Sequence, residues 1–275
     1  MSLRRCLKIF TTMDVITRNF FRLLRSGALN EYEALEPMSA FKWDRLNQMV
    51  HAQHVEAAAQ KGVRNHQYDE LMNIPKRLIT ESIADAPGIG HPRLSNRLLN
   101  HRLRKIEEKE RHAIDTNVGS IDVLKIIVAN ISGMLNTGMM LSGLIQLGSY
   151  LRNKGDKVDF VKLEAWLSKL HIRRMAQLQG CMLMAVFNFE QDEIPFVQRD
   201  EPAAYKLVLR SVSHTANDTA EEWHFRQSRS GFVQNNSTLL RRNLRRSLRY
   251  ITYAPIETVS NFFHNFARSL QEIEE

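Results

Sequence analysis

Residues Ile126 to Leu151 read IIVANISGMLNTGMMLSGLIQLGSYL and contain no charged side chain. This run is long enough to span a bilayer, but only 15 of its 26 residues are apolar, while four are glycine and seven are polar. That polar content disfavours membrane insertion, and the tripeptide Asn136-Thr137-Gly138 is a turn signal. The stretch therefore predicts a buried helical hairpin that turns at Asn136 to Gly138, and no transmembrane span is expected.

The same helical period extends over most of the chain. Apolar residues recur at intervals of three and four, whereas alternating β-branched runs hardly occur. We therefore predict an all-α protein, a multi-helix globular bundle with an irregular central segment that contains proline and glycine. The first helix is expected over Asp14–Leu24 and to end at Ser26-Gly27, and the second to begin near Ser39 and to stop at Lys61-Gly62.

Helix signals continue after the hairpin. A turn is expected at Gly155-Asp156, with Asp159 as the N-cap of the following helix. Another helix is predicted over Arg173–Phe187, and Glu201-Pro202 is typical of a helix start. The residues from Tyr205 to Leu209 also alternate in polarity, so a strand remains an alternative there.

The chain divides by pattern into four segments. Residues 1–12 predict a leader or a mis-annotated start, with Met13 as the alternative first residue. Residues 13–64 predict an N-terminal helical segment, and residues 120–275 a C-terminal helical domain. Between them, residues 65–119 hold three of the seven prolines and a charged run, which predicts an irregular linker or an inserted module.

Charge and cysteine content limit the possible partners and compartments but do not identify the function. The chain has 38 Lys and Arg against 30 Asp and Glu, and this net charge of +8 permits binding to nucleic acid, an acidic protein or an anionic membrane. Cys6 and Cys181 form no paired motif, so both are expected to be free thiols. The apolar run near the N-terminus is too short for a secretory signal, and a cytoplasmic location is predicted.

The usual signatures of catalysis are absent from the sequence. It contains no Walker loop, GxSxG elbow, HExxH or GxGxxG motif. His51 and His54 are the only close histidine pair, and no third ligand is indicated. The sequence therefore predicts no catalytic residue, no metal ligand and no cofactor. None of the acidic i,i+2 pairs lies in a credible strand: Glu31/Glu33, Glu108/Glu110, Glu190/Asp192 and Glu272/Glu274.

One candidate nucleic-acid site is the turn within Ile83–Leu94, whose letters are IADAPGIGHPRL. It resembles the hairpin of helix-hairpin-helix DNA-binding motifs, in which a PGIG turn exposes backbone N–H groups that hold a phosphate. The resemblance implies that Gly88 and Gly90 form the turn and that Arg93, Arg97 and Arg102 add phosphate contacts. The alternative is a plain Pro/Gly loop between two helices.

The second candidate is an arginine-rich helix over Leu239–Ile251. The stretch Trp223–Ile256 around it contains seven arginines and no acidic residue, which is typical of a surface for nucleic-acid phosphates, an acidic protein or anionic lipid. The alternative is an ordinary surface helix with its leucines in the core. On a helical wheel, one face carries Leu240, Leu244, Leu248 and Ile251. The opposite face carries Arg241, Arg242, Arg245, Arg246 and Arg249.

A final helix is predicted after Pro255, which ends the arginine-rich element. An apolar stripe marks it: Val259, Phe262, Phe263, Phe266 and Leu270.

Three stretches together resemble the helical flanks of bacterial nucleotidyltransferases of the polymerase-beta-like superfamily. They read FFRLLRSGALNEYE at 20–33, VANISGMLNTGMMLSGLIQLGSYLRNKGDKVDFVKLEAWLSKLHIRRMAQLQGCMLMAVFNF at 128–189, and LLRRNLRRSLRYITYAPIETV at 239–259. In that family the flanks surround a small α/β core with a magnesium-binding Asp-x-Asp. Residues 65–119 contain no Asp-x-Asp, so the resemblance implies helical architecture without the catalytic core.

Three functional hypotheses follow. The first is a non-catalytic, degenerate relative of the nucleotidyltransferases that binds a protein or a nucleic acid through its basic helix. The second is an active nucleotidyltransferase with a non-standard acidic site built from Asp115, Asp122 and the pair Glu190-Asp192. The third is a DNA-binding protein that uses the turn at Gly88 and Gly90.

Overall fold

Every regular element is helical in the computed structural model, which describes residues 13–69, 73–75, 92–113, 117–213 and 244–274. The predicted all-α class is therefore confirmed. Buried apolar side chains from the N-terminal, central and C-terminal parts of the described chain join into one core. The helices surround α8, an almost wholly buried helix described below.

Helix α1 (Val15–Leu29) begins at Asp14, whose side chain accepts a hydrogen bond from the backbone N–H of Thr17 at 2.9 Å. The predicted end at Ser26-Gly27 is wrong. The helix continues to Leu29, and Asn30 ends it in the left-handed conformation with φ 57°.

Two helices replace the single one expected from Ser39 to Gly62. Helix α2 (Ala40–Ala52) begins after Ser39 as predicted, but the chain breaks before α3 (Glu56–Asn65), where His54 has φ 52°. The predicted stop at Lys61-Gly62 is also wrong, because α3 runs through it.

Gly27 and Gly62, the two glycines that were expected to end helices, instead lie where two helices contact each other closely. A Cβ on Gly27 would overlap the backbone of Ala58 and Gly62, and a Cβ on Gly62 would overlap the backbone of Leu23. Glycine is required here because α1 and α3 pack backbone against backbone. Their role in packing therefore overrides their usual role as helix terminators.

The central segment 65–119, expected to be an irregular linker or an inserted module, contains one regular helix among its described residues. Helix α4 (Arg97–Arg111) buries Leu99, Leu103, Ile106 and Glu110, which lie on one face, and most of its other charged residues lie on the opposite face.

The predicted hairpin is confirmed. Helix α5 (Val118–Asn136) ends at Thr137, Gly138 has φ 105°, and α6 (Leu141–Lys154) follows. Among the described helices α5 alone is long and apolar enough to cross a membrane, yet 56% of its 18-residue apolar window is buried within the protein. This burial is that of a core helix, in line with the expectation of no transmembrane span.

The polar residues of the hairpin are satisfied inside the bundle. The Asn130 side-chain amide donates to the backbone oxygen of Gly143 at 3.0 Å and to Gln179 Oε1 at 2.9 Å. Gln179 in turn donates to the backbone oxygen of Ile127 at 3.2 Å. These bonds allow polar side chains to be buried between α5, α6 and α8.

The C-terminal half follows its predicted pattern closely. A 3₁₀ turn at Gly155–Lys157 precedes α7 (Phe160–Lys169), and Asp159 caps α7 through the N–H of Lys162 at 3.0 Å. Helix α8 (Arg173–Val186) is buried along all of Met175–Val186. Helix α9 (Ala203–Ser213) excludes the strand alternative. Residues 244–250 are helical and are called α10 here, and α11 is Pro255–Glu274.

Candidate nucleic-acid interface

The described part of the predicted PGIG site is the segment that leads into α4. Gly88 and Gly90 lie outside the described residues. Arg93 and Arg97 are both exposed. Residues 92–96 are not helical, so α4 begins several residues after the glycines and not within their turn. Between the two arginines, Leu94 is buried in the core.

The start of α4 is already bound by a carboxylate of the protein. Glu257, which is only 2% exposed, accepts hydrogen bonds from the backbone N–H groups of Ser95 and of Asn96, the latter at 3.1 Å. Asn96 also caps the helix through the N–H of Leu99 at 3.0 Å. An anion is stabilised at a helix N-terminus by exposed N–H groups and by the helix dipole. These N–H groups are therefore not available to a phosphate.

The arginine-rich helix does not bury its leucine face against the core. Leu244 and Leu248 are 43% and 59% exposed, whereas Ser247 and Tyr250 are buried. The buried stripe of α10 continues to Ala254, at helical spacing. The alternative of an ordinary surface helix with its leucines in the core is therefore wrong for these two residues, because the large Tyr250 ring fills the core position. Leu240, Arg241 and Arg242 lie outside the described residues.

The charges of three arginines act on the buried Tyr250 hydroxyl. Burial raises the pKa of Tyr250 above its ordinary value, while the charges of Arg249, Arg246 and Arg210 and a hydrogen bond from Arg249 oppose this rise. Arg210 comes from α9 and the other two from α10. We call these three residues, with the exposed Arg245, the arginine cluster.

Little negative charge lies against the arginine cluster in the described part of the chain. Within those residues no carboxylate forms an ion pair with Arg210, Arg245 or Arg249. Arg246 donates to the backbone oxygen of Asn136 at the C-terminal end of α5. That contact holds α10 against α5, and a cation is favourable at a helix C-terminus. The cluster therefore combines one anchored arginine with side chains that reach solvent.

The last helix also turns its polar face inward. Glu257, Thr258 and Asn261 are buried, although the stripe predicted from the sequence is apolar. Asn261 Oδ1 accepts from Ser95 Oγ at 2.8 Å, and the Asn265 amide donates to Asn136 Oδ1 at 3.0 Å. The apolar residues on the opposite face reach solvent, with exposed fractions of 40, 42, 62 and 38% for Ile256, Val259, Phe263 and Phe266.

The acidic residues considered for catalysis are not brought together. Asp122 accepts from the Tyr150 hydroxyl at 2.9 Å, and burial together with this bond raises the pKa of Tyr150. Glu190 and Asp192 lie exposed in the loop after α8, and Asp115 is outside the described residues. Across the described ranges no group of three or more His, Cys, Asp or Glu side chains is arranged to hold a metal ion.

The pair Glu31/Glu33 is engaged in ion pairs. Arg152 contacts Glu31, and Arg22 Nε lies 3.0 Å from Glu33 Oε1. Arg25, which is 1% exposed, also pairs with Glu33. These carboxylates stabilise the contacts of α1 and α6.

Sequence reasoning missed Arg210 and Glu257. Arg210 has the pattern of an ordinary exposed helix position. Glu257, in the first turn of α11, is typical of an acidic residue whose negative charge interacts favourably with the dipole of its own helix. Neither residue carries a local signal for a partner on another helix.

Comparisons of this chain with protein-family models, with curated proteins and with solved structures found no match.

Proposed function

We propose that this protein acts without catalysis by binding nucleic acid, and that the arginine cluster holds the phosphates. The observation that carries the proposal is that Arg210 of α9 and Arg246 and Arg249 of α10 all act electrostatically on the buried Tyr250, beside the exposed Arg245. Like charges that act on one hydroxyl also repel one another, and a bound phosphate relieves the repulsion. Guanidinium groups also match phosphate oxygens with paired hydrogen bonds.

We propose the absence of catalysis because several acidic side chains already have hydrogen-bond or ion-pair partners within the protein. Glu31 and Glu33 are paired with arginines, Glu257 binds the start of α4, and Asp122 accepts from Tyr150. Metal-dependent nucleotidyl transfer needs converging carboxylates. Transfer that requires magnesium and is abolished by substitution of Asp122 or Asp115 would favour an active transferase instead.

Ancestry and location belong to the same proposal. The segments at 20–33, 128–189 and 239–259 have the helical pattern of nucleotidyltransferase flanks, and a degenerate relative of that family would keep these helices. The buried thiol of Cys181 suits a reducing compartment such as the cytoplasm.

The direct test is fluorescence anisotropy of labelled single- and double-stranded DNA and RNA at about 50 and 200 mM salt. Binding is expected to weaken steeply as salt increases, because each phosphate contact releases counterions. Arg245→Glu and Arg249→Glu should each weaken binding and reduce the slope of log K against log salt by about one unit.

The matched control for these variants is Arg45→Glu. Arg45 is an exposed arginine on α2, so the variant has the same change of net charge on a different helix. It should keep most of the affinity. Equal losses for Arg45→Glu and Arg245→Glu would indicate attraction by net charge alone, and no binding at about 50 mM salt would reject the proposal.

The turn at Gly88 and Gly90 is tested separately. If that turn holds a phosphate, Gly88→Glu weakens DNA binding while circular dichroism shows an unchanged helix content. Unchanged affinity would count against the turn and leave the arginine cluster as the candidate.

An acidic protein partner is the second candidate function, and the exposed Leu244 and Leu248 beside Arg245 favour it. A helical peptide with glutamate and leucine on one face is the appropriate probe. Under this alternative the peptide binds, Leu248→Asp weakens its binding, and nucleic acid does not bind.

A further inference from the structure

We infer that an anionic membrane surface binds this protein along α11, where exposed apolar side chains lie between two edges that carry arginines. The apolar stripe of α11 is defined by Ile256, Val259 and Phe263, which are 40, 42 and 62% exposed. Contact of such a stripe with water is unfavourable, and exposed apolar patches mark sites for membranes or other partners. Membrane binding goes beyond the proposed binding of nucleic acid and does not depend on it.

The start of α4 forms one edge of the apolar stripe. The Asn96 side-chain amide donates to Ser260 Oγ at 2.8 Å, and Ser260 follows Val259 of the stripe. Arg97 follows Asn96 in the chain, and both Arg97 and Arg93 are exposed. This edge of α11 therefore carries two arginines that reach solvent.

Helix α10 lies at the other edge. Arg246 donates to the backbone oxygen of Asn136, and the Asn265 side-chain amide of α11 donates to Asn136 Oδ1 at 3.0 Å. Because one residue binds both helices, α10 and α11 lie close together at the end of α5. Arg245 is exposed beside Arg246, and Leu248 is 59% exposed one turn later. This edge therefore combines an exposed arginine with an exposed leucine.

The two edges lie on opposite sides of α11. At about 100° per residue, Ser260 and Asn265 are about 140° apart on the helical wheel. The shorter arc between them contains the buried Glu257 and Asn261, and the longer arc contains the apolar stripe. The hydrogen bonds of Glu257 and Asn265 hold the helix against the protein. The apolar stripe is therefore fixed facing solvent, with arginines on both sides.

The charge around the apolar stripe is of one sign. Residues 92–106 and 244–267 contain eight arginines and lysines and a single carboxylate, that of Glu257, which is buried against the start of α4. Among the residues that the structure describes, no carboxylate forms an ion pair with Arg97 or Arg245. Such a surface attracts a negatively charged partner.

The apolar side chains favour a bilayer over other anionic partners. The negatively charged head groups of a bilayer cover an apolar layer, so guanidinium groups stay at the head groups while apolar side chains enter below them. A nucleic acid offers phosphates to the arginines, but its bases stack on aromatic rings. Five exposed residues of this surface are aliphatic: Leu98, Leu244, Leu248, Ile256 and Val259.

The direct test is co-sedimentation of the purified full chain with lipid vesicles. One set contains phosphatidylcholine alone, and the other contains phosphatidylcholine with about 30% phosphatidylserine, both at about 100 mM salt. Binding is expected to the anionic vesicles only, and it should weaken as salt increases. Binding that does not require phosphatidylserine, or no binding to either set, would overturn the inference.

Phe263→Glu should weaken binding to the anionic vesicles at least about tenfold, because a charged side chain is costly to bury in the apolar layer. Val161→Glu is the matched control, since Val161 is an apolar residue that is 83% exposed on α7, and this variant should bind like wild type. Circular dichroism should be unchanged for both variants. Equal losses would indicate an effect of net charge alone and reject the site on α11.

Arg97→Gln tests the basic edge at α4 and should weaken binding about fivefold, through loss of one cation near the head groups. Arg45→Gln removes an exposed arginine from α2 and should have little effect. Equal effects of the two variants would contradict a basic edge at this place.

Phe263→Trp measures insertion directly and keeps an aromatic side chain, so it provides a second variant if Phe263→Glu alters the fold. Lipids with brominated acyl chains should quench this variant more strongly than wild type, because the new indole enters the acyl region. Val161→Trp should show no added quenching. A vesicle-bound Phe263→Trp protein without added quenching would overturn insertion of the apolar stripe.

The same variants separate a bilayer from other partners. If Phe263→Glu weakens binding of the glutamate and leucine peptide or of an oligonucleotide, and vesicles do not bind, the surface serves that partner and membrane binding is rejected. Arg97 and Phe263 lie outside the arginine cluster. Loss of vesicle binding in their variants with unchanged oligonucleotide binding would therefore support a separate membrane site, and failure of either proposal leaves the other measurable.

Discussion

The carboxylate of Glu257 accepts a hydrogen bond from the backbone N–H of Asn96 at 3.1 Å, across 161 positions of the sequence. This single residue satisfies the start of α4, holds the start of α11 and fixes which face of α11 meets solvent. It thereby determines where the apolar stripe of α11 lies.

Replacement of Glu257 by alanine should destabilise the protein by about 2–3 kcal/mol. The reason is the loss of charge-assisted hydrogen bonds to the backbone N–H groups of two partly buried residues. Urea unfolding followed by circular dichroism measures the change. Glu108→Ala, an exposed glutamate on α4, should change stability by less than about 0.5 kcal/mol, and equal effects would contradict the anchoring role.

Alanine at Gly27 should destabilise the protein by about 3 kcal/mol or more. The added methyl group would overlap the backbone of Ala58, and a backbone contact between two helices cannot relax easily.

Gly133→Ala is the matched control for Gly27→Ala. It lies inside α5, where an added Cβ meets no atom within 4 Å, and it should stabilise by about 0.5–1 kcal/mol through helix propensity. Thermal unfolding of the two variants should shift in opposite directions. A stabilised Gly27→Ala would show that α1 and α3 do not approach closely.

Acid should weaken the contact between Arg18 and Glu36. Hydrogen bonds from Arg18 to both carboxylate oxygens, each at 2.7 Å, lower the pKa of Glu36 below its ordinary value. A lowered pKa in the folded state contributes stability above the unfolded pKa of about 4.3, and this contribution is lost as pH falls through the folded value. Glu36→Gln should therefore reduce stability at neutral pH and make little difference in strong acid. A pH-independent difference between wild type and variant would contradict this linkage.

Cys181 should react slowly with disulfide reagents in the folded protein. Burial raises the pKa of its thiol to about 11, so only about one molecule in a thousand carries the reactive thiolate at about pH 8. The Cys6→Ser variant isolates this thiol, and the reaction should accelerate at least a hundredfold in urea. Fast modification without denaturant would show that the helix contacts around Cys181 open readily.

Helix positions were largely predictable because their signals are local. The turn at Asn136 to Gly138, the cap at Asp159 and the start of α11 at Pro255 each depend on a few adjacent residues. Gly27 and Gly62 were misinterpreted for the opposite reason. Their glycine preference arises from a neighbouring helix that no local pattern identifies.

The candidate sites were less predictable than the helices. Arg93, Arg97 and Arg245 are exposed as a basic surface requires. The combined charge of Arg210, Arg246 and Arg249 on Tyr250, however, comes from two helices separated by 30 positions of sequence. The charge content of the sequence predicted a basic surface. Only the tertiary structure placed Arg210 where its charge acts on the same Tyr250 hydroxyl as those of Arg246 and Arg249.

The amino-acid sequence by itself determined the all-α class, most helix positions and the apolar stripe of the last helix, because these follow from short-range periodicity. Tertiary structure decided which faces are buried. Tyr250 displaced the leucines of α10 from the core, and Glu257 turned the polar face of α11 inward. The physical reason is that a buried helix start needs its N–H groups satisfied, and the carboxylate that satisfies those of α4 lies far along the chain, on the last helix.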